Sequence, residues 1–350
     1  MTWQNRLLDW YAVHHREFPW RQTKDPYKIW LSEIIMQQTR TQQGLPYYEA
    51  FVAAFPTLKD LATAKEASVL KLWQGLGYYS RARNLHAASQ YIYKELKGEF
   101  PNTFEGLLSL KGVGDYTASA IASIAYDLPH AVVDGNVYRV YARFFGIDLP
   151  INASRAFRFF KEKSQKVLPT SDPGTFNQAV MEFGALQCTP KNPNCLECPL
   201  AAACSAFQSG RVNQLPVKLK KGKITKRYFN YLVFETPSQK WYLQQRTQPG
   251  IWHKLFEFPL IEWEGSMEQA SASFLEAIRR IEPTAQSPQK IYPPIVHKLS
   301  HQHIEINFWR LRANDLSFSS FTNDELASVA VPVPIAQFLE KSNELKNPYI

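Results

Sequence analysis

The sequence predicts a mainly α-helical protein, an all-α first domain followed by a smaller α+β domain. Three observations predict it. Apolar residues recur at helical spacing from Trp3 to about Phe207. All four cysteines crowd between Cys188 and Cys204, at the end of that stretch. After Tyr228 the apolar pattern alternates, which marks strands. At 350 residues the chain has room for two domains. A formal charge of +9 suits a polyanionic partner, although net charge governs attraction and solubility rather than fold. The stretch from Met1 to Phe18 carries Arg6, Asp9, Arg16 and Glu17, unlike a secretory signal peptide, and no apolar run reaches membrane-spanning length. The expectation is a soluble, cytoplasmic monomer with no membrane partner, associated with the nucleoid if the source is bacterial.

Taken in order, Trp3 to Phe18 reads as a helix with Leu7, Leu8 and Tyr11 on its apolar stripe, and Pro19-Trp20-Arg21 breaks it. Asp25 and Pro26 give the N-cap and first position of a second helix, running to about Thr41. Its segment IWLSEIIM holds one charge, Glu33. A carboxylate so placed is paired, at a boundary, held protonated, or simply on the wet side of an amphipathic helix. Helical patterns continue over 46–55, 57–64 and 68–73. Gly75-Leu76-Gly77-Tyr78-Tyr79-Ser80-Arg81 interrupts them; two glycines frame a Leu and a Tyr, as either a helix C-cap or an apolar wedge does. A helix from Arg81 to Lys97 follows, and 101–110 leads into the central stretch.

That stretch is Leu110 to Asn136. Leu110-Lys111-Gly112-Val113-Gly114 is a glycine turn opening a small-residue helix, Thr117 to Tyr126, and such a turn can hold a phosphate on bare N–H groups. Asp134, in Val-Val-Asp-Gly-Asn-Val, can cap the helix 137–145. Further helices cover 154–168 and 174–186. Cys188, Cys195, Cys198 and Cys204, spaced C-x6-C-x2-C-x5-C, suit a single metal centre, and spacing alone leaves zinc and iron–sulfur both open. Paired disulfides do not suit an intracellular chain. Residues 211–227 hold seven basic residues and no acidic one, a linker whose charge run is either solvated or in contact with phosphates. Strands follow over 228–235, 241–245, 255–261, 291–299 and 304–308, with one helix over 267–281.

L-x-G-V-G-x-x-T-A followed by V-D-G-N-V resembles the helix-hairpin-helix signature of the endonuclease III superfamily of DNA glycosylases. The resemblance implies that Gly112 and Gly114 grip a DNA phosphate, that Asp134 is a catalytic carboxylate, and that the four cysteines hold a 4Fe-4S cluster ordering a DNA-contacting loop. Bifunctional members carry a Lys where this chain has Tyr116, and a Tyr cannot form a Schiff base with a sugar carbon. With F-P-W-R and L-S-E-x-x-x-Q-Q-T, the chain resembles the adenine glycosylases of the MutY type. This implies a monofunctional enzyme that flips adenine, mispaired with 8-oxoguanine or guanine, out of double-stranded DNA. Glu33 would be the acid, Asp134 the anion, and Tyr116 and Asn136 their polar partners. Trp20, Arg21 and Gln178, with Phe176 and Asn177 beside it, would line the base pocket. Gln38 and Thr39 would lie at the DNA surface, and Leu76 and Tyr78 would be the wedge. The segment from Gly250-Ile251-Trp252 to Phe258-Pro259 resembles the nudix-like C-terminal domain of this family, in which a hairpin tip reads the partner base; here Ser300 and His301 match and Leu299 replaces an aromatic. The following helix, SASFLEAIRRIE, lacks the Glu-rich array of a nudix hydrolase, so no pyrophosphohydrolase activity is expected. The expected boundaries are 1–207, a linker 208–227, and 228–350. Two other readings are a bifunctional glycosylase/lyase, which Tyr116 argues against, and an iron–sulfur DNA-binding or redox-sensing protein, which the pair Glu33 and Asp134 argues against.

Overall fold

A computed structural model describes residues 1–220, 224–238, 240–285, 287–299, 301–313, 316 and 318–344. The first part is helical: α1 Trp3–His14, a 3-10 turn Pro19–Arg21, α2 Pro26–Met36, α3 Thr41–Ala54, α4 Leu58–Thr63, α5 Glu66–Leu72, α6 Ser80–Glu95, α7 Phe104–Leu108, α8 Asp115–Tyr126, α9 Gly135–Phe144, α10 Ala156–Val167, α11 Pro173–Leu186 and α12 Ser205–Gln208. Then come β1 Thr225–Glu235, β2 Trp241–Gln245, β3 Phe256–Glu257, β4 Leu260–Trp263, α13 Ala272–Ile281, β5 Gln289–Lys290, β6 Ile295–Lys298, β7 Gln302–Arg312, β8 Ser319–Phe321, α14 Asn323–Ala327 and α15 Val333–Glu344. No described helix is long and apolar enough to cross a membrane.

The chain divides into two compact units, Met1–Thr63 with Asn84–Lys221, and Ala64–Arg83 with Gly222–Ile350. Two features of this division differ from the sequence expectation. Residues 64–83 group with the C-terminal unit, because side chains there bind its backbone: Lys71 Nζ donates to the Val329 carbonyl at 3.1 Å and Arg83 Nη1 to that of His253 at 2.8 Å. Lys254 also pairs with Glu66 at 2.7 Å. The first half of the expected linker is tied to the first unit. Ile151 N donates to Val217 O at 3.0 Å, and the Asn152 amide bonds Leu219 in both directions.

In the first unit α8 packs against α2, α7 and α11, and α11 against α1 and α9. Its small residues explain the position: Thr117 to Ile124 are all buried, and only Ala-, Ser- and Thr-sized side chains let helices approach from several sides. The second helix stops at Met36, five residues before the expected end. Gln38 takes a left-handed φ of 55°, and Thr39 N closes the turn on Met36 O at 3.1 Å. No glycine or proline announces that turn. In the second unit β1 runs parallel to β7 from Thr225↔Gln302 to Glu235↔Arg312. Leu232, Phe234, Trp309 and Leu311 meet α13 through Phe274 and Ile278. Tyr231 and Phe308 belong to a second aromatic group with Phe258 and with Phe338 of α15, where the Phe308 and Phe338 rings stack at 4.3 Å. The sheet is therefore covered on both sides, which is why Phe229 to Phe234 of β1 are buried in succession instead of on every second residue as the expected alternation would have it. Pro259 splits the expected strand 255–261 into β3 and β4.

Candidate active site and cysteine loop

The first unit brings Glu33 of α2, Tyr116 of α8 and Asp134 together. Burial pushes the Glu33 carboxyl up to about 7; a hydrogen bond with Tyr116 and the charge of Arg21 oppose this, while Asp134 adds to it. Glu33 is nevertheless not fully covered from solvent. Tyr116 itself is driven far above its ordinary value by burial and by both carboxylates, so it stays a neutral donor. Its hydroxyl also reaches Met181 Sδ at 3.4 Å.

Asp134 caps α9. Its Oδ1 accepts from Asn136 N at 2.9 Å and Val137 N at 2.7 Å, and its Oδ2 from Asn136 Nδ2 at 2.7 Å. Burial raises its pKa and these three bonds oppose the rise. Three donors at a helix N-terminus favour an anion, whereas Glu33 has a single phenol among apolar neighbours. Two carboxyls in different environments are what sugar-bond hydrolysis needs, one as acid and one as anion.

Beside this pair lies a cluster that the motif reading left out. Glu182 of α11 is 2 % exposed. It accepts from Arg16 Nε at 2.7 Å, Arg16 Nη2 at 2.8 Å and Arg21 Nη2 at 2.9 Å. Burial alone would raise its pKa, but these two arginines hold it at about 2. Arg21 also lies over the Tyr11 and Phe18 rings and donates to Arg16 O at 2.7 Å. Trp20 stacks on Phe18 at 4.8 Å and meets Tyr48 edge-on. Gln178 Oε1 accepts from Tyr11 OH at 2.8 Å. Asn177 is a brace, accepting from Val132 N and donating to Ser123 Oγ and His130 O, which fixes the irregular segment leading to Asp134. The signal for Glu182 was present in the sequence: a single acid in the apolar run AVMEFGAL, the same pattern that drew attention to Glu33.

Gly112 holds φ at 82°, and a Cβ there would lie 2.6 Å from Asn84 Cβ, so both backbone and space require glycine. Gly114, at φ −100°, is the N-cap of α8 and a Cβ there would meet open space. Gln38 is exposed and Thr39 half-buried on the turn after α2.

The four cysteine sulfurs line one small cavity with Arg143. Backbone N–H groups donate to two of them, Leu200 to Cys198, and Ala206 and Phe207 to Cys204. Arg143 Nη1 lies 3.4 Å from Cys188 Sγ. Burial pushes the Cys198 thiol up to about 11; the Leu200 amide opposes this and the three neighbouring thiols add to it. N–H donors around converging sulfurs suit metal-bound thiolates, whose deprotonation the metal drives. Among the described residues, no His, Cys, Asp or Glu group closes tightly enough to hold a single metal ion.

The loop is wired to Asp134. Arg139 Nε donates to Cys188 O at 2.7 Å, and its Nη2 to Gly184 O at 2.6 Å and to Asn136 Oδ1 at 2.8 Å. Asn136 in turn holds Asp134. The buried Arg143 bonds the loop through Thr189 O and Pro190 O, and residues 212–215 through Val212 O and Leu215 O.

In the second unit, Leu76, Tyr78, Arg83, Trp252, His297, Leu299 and His301 all border one cavity of about 520 Å³. Leu76 is 7 % exposed and Tyr78 43 %, so of the two expected wedge residues Tyr78 is the one that protrudes. Ser300 lies outside the described residues. In α13 the one acid is Glu276, which pairs with Arg280.

Comparison with known proteins agrees with this architecture. A family model of the HhH-GPD superfamily of base excision DNA repair proteins matches residues 31–166, and one of the NUDIX domain matches 230–341. An adenine DNA glycosylase of Buchnera aphidicola subsp. Schizaphis graminum is 31% identical over 345 residues, 95% of this chain and 96% of that one. The chain belongs to the adenine DNA glycosylase family. The human member is 32% identical over 354 residues, covering 86% of this chain and 65% of its own. A solved thermostable thymine-DNA glycosylase is 28% identical with a TM-score of 0.55, over 59% of this chain and 95% of that one. An endonuclease III–DNA complex, 20% identical with a TM-score of 0.52, shares the fold of the helical unit. As a member of this family the protein combines a helix-hairpin-helix unit with a smaller nudix-like α+β unit.

Proposed function

We propose that the protein is a monofunctional adenine DNA glycosylase that removes undamaged adenine paired with 8-oxoguanine or guanine and leaves an abasic site. The observation carrying this reading is the pairing of Glu33, held near a pKa of 7, with Asp134, which three N–H donors favour as an anion. Glu33 protonates a ring nitrogen of the flipped adenine, making it a better leaving group. Asp134 stabilises the positive sugar or bonds briefly to its anomeric carbon. Tyr116 and Asn136 orient the two carboxyls, Arg21 and Gln178 face the base beside Trp20, and Gly112 and Gly114 hold a backbone phosphate. Tyr116 occupies the position where an amine would be needed for strand cleavage.

Cys188, Cys195, Cys198 and Cys204 would hold a 4Fe-4S cluster, which orders the loop whose Cys188 carbonyl holds Arg139 of α9 against Asn136. The second unit would read the partner base, with Tyr78 entering the stack and Ser300 and His301 contacting 8-oxoguanine. The shared cavity of Tyr78 and His301 supports this reading, as does the length of the family resemblance.

The test is purified protein with duplexes carrying A opposite 8-oxoguanine, G, C or T. Adenine release with an intact abasic strand is expected, together with iron and acid-labile sulfide in the protein and no borohydride-trapped complex. Glu33→Gln and Asp134→Asn should each abolish release but keep mismatch binding. Ser300→Ala with His301→Ala should narrow the preference for 8-oxoguanine over guanine by about 1–3 kcal/mol, the scale of reading one base. A trapped covalent band with the unaltered protein would overturn the monofunctional assignment.

A further inference from the structure

The turn Gly75–Tyr78 is held in an unfavourable shape. Gly75 and Gly77 have φ of 103° and 73°, and Tyr78, which has a Cβ, sits at 48°. A left-handed tyrosine persists only where its surroundings over-determine it. The buried carbonyls of such a turn also need donors.

Arg81 supplies donors. Its Nη2 lies 3.3 Å from Leu76 O and 3.2 Å from Gly77 O. Its guanidinium stands over the Trp73 ring at 5.0 Å and the Tyr78 ring at 5.7 Å. Trp73 Nε1 donates to the same Gly77 carbonyl at 3.0 Å, and Arg81 N to Tyr78 O at 2.9 Å. Arg81 is buried, Leu76 is tucked in beside it, and the Tyr78 ring stands out. Burial lowers the pKa of Arg81 to about 10, so it remains a cation at neutral pH. A planar guanidinium can donate to adjacent carbonyls while stacking flat on ring faces; the ammonium of a lysine is a compact point charge without that planar fork.

We propose that Arg81 is a positioning residue for base extrusion: by holding the Leu76 and Gly77 carbonyls and backing the Tyr78 ring, it pre-forms the wedge before DNA arrives. This rests on the reading of Tyr78 as the residue that enters the base stack. Pre-forming the turn removes an ordering step from DNA binding, so losing Arg81 should slow extrusion and leave the carboxylate chemistry alone.

The experiment uses the full chain with its metal loaded. A fluorescent adenine analogue next to the target adenine, opposite 8-oxoguanine, reports extrusion in stopped flow. Arg81→Lys is compared with Tyr78→Ala and with the double variant. Arg81→Lys should slow extrusion by about tenfold or more, the scale of a lost hydrogen bond to a charged group. The double variant should be no slower than Tyr78→Ala alone, since both changes remove one wedge. Release of adenine from an unpaired bulge, where no stack must be opened, should stay within about twofold. If a buried lysine unfolds the segment, as melting would reveal, Arg81→Gln carries the same comparison. Unchanged extrusion in the substituted Arg81 variants, or fully additive losses in the double variant, would overturn the positioning role. Unchanged extrusion with Tyr78→Ala would overturn the wedge reading itself, a separate result.

Discussion

Glu33 should destabilise the protein it serves. Its carboxyl titrates at about 7 in the folded chain instead of the ordinary 4.5, chiefly because burial disfavours the charge. Between those two values the folded state binds more protons than the unfolded one, so stability falls as pH rises through the window. The penalty is complete above the folded value and absent well below the unfolded one. The rise from 4.5 to about 7 corresponds to about 3.4 kcal/mol at most, and the partial exposure of the residue makes about 2–3 a fairer figure. Glu33→Gln removes the charge, keeps the volume, and leaves an oxygen for the Tyr116 hydroxyl. The variant should therefore be inactive yet more stable at about pH 8.5, melting roughly 5–10 °C higher for a unit of this size. At about pH 5 the difference should shrink to under about 1 kcal/mol, because most of the wild-type carboxyl is then protonated in the folded state. Urea unfolding and calorimetry of both proteins at the two pH values, with iron content matched, measure this. An equal stability difference at both pH values, or none at high pH, would refute the claim that a buried carboxylate sits at position 33.

Three further outcomes are expected. Arg139→Gln cuts the path from Cys188 O to Asn136, so it should slow adenine release by about tenfold and loosen iron retention, measured by single-turnover kinetics and metal analysis. Gly184→Ala places a Cβ 2.6 Å from Asn136 Cβ, closer than real contacts allow; it should destabilise by about 1–3 kcal/mol and lower the release rate, because Asn136 must shift away from Asp134. Tyr116→Lys puts an amine where Tyr116 now bonds Glu33, and it should yield a borohydride-trapped DNA complex that the unaltered protein does not.

The chain by itself determined a good deal. The two-part architecture was legible because helical and alternating apolar periods leave different traces and the change falls in one place, after the cysteines. Glu33 stood out as a lone acid inside IWLSEIIM, though the family resemblance chose among its four readings, and Asp134 was legible as a helix cap before Gly-Asn. The cysteine spacing raised the expectation of a metal site but left zinc and iron–sulfur level; the family resemblance favoured iron–sulfur. What the chain could not determine were contacts that join distant segments. Glu182 binds Arg16 and Arg21 across more than 160 positions, and Arg139 reaches Cys188 across 49. Local periodicity carries no record of such pairs: it can mark Glu182 as a lone acid in an apolar run, but it cannot name the distant residue that meets it. The same holds for residues 64–83, whose helical pattern gave no reason to expect that they group with the C-terminal unit. Nor could it assign the turn at Gln38 or the inward facing of Leu76. Those follow from which neighbours fill the space and supply donors, and only the tertiary structure decides that.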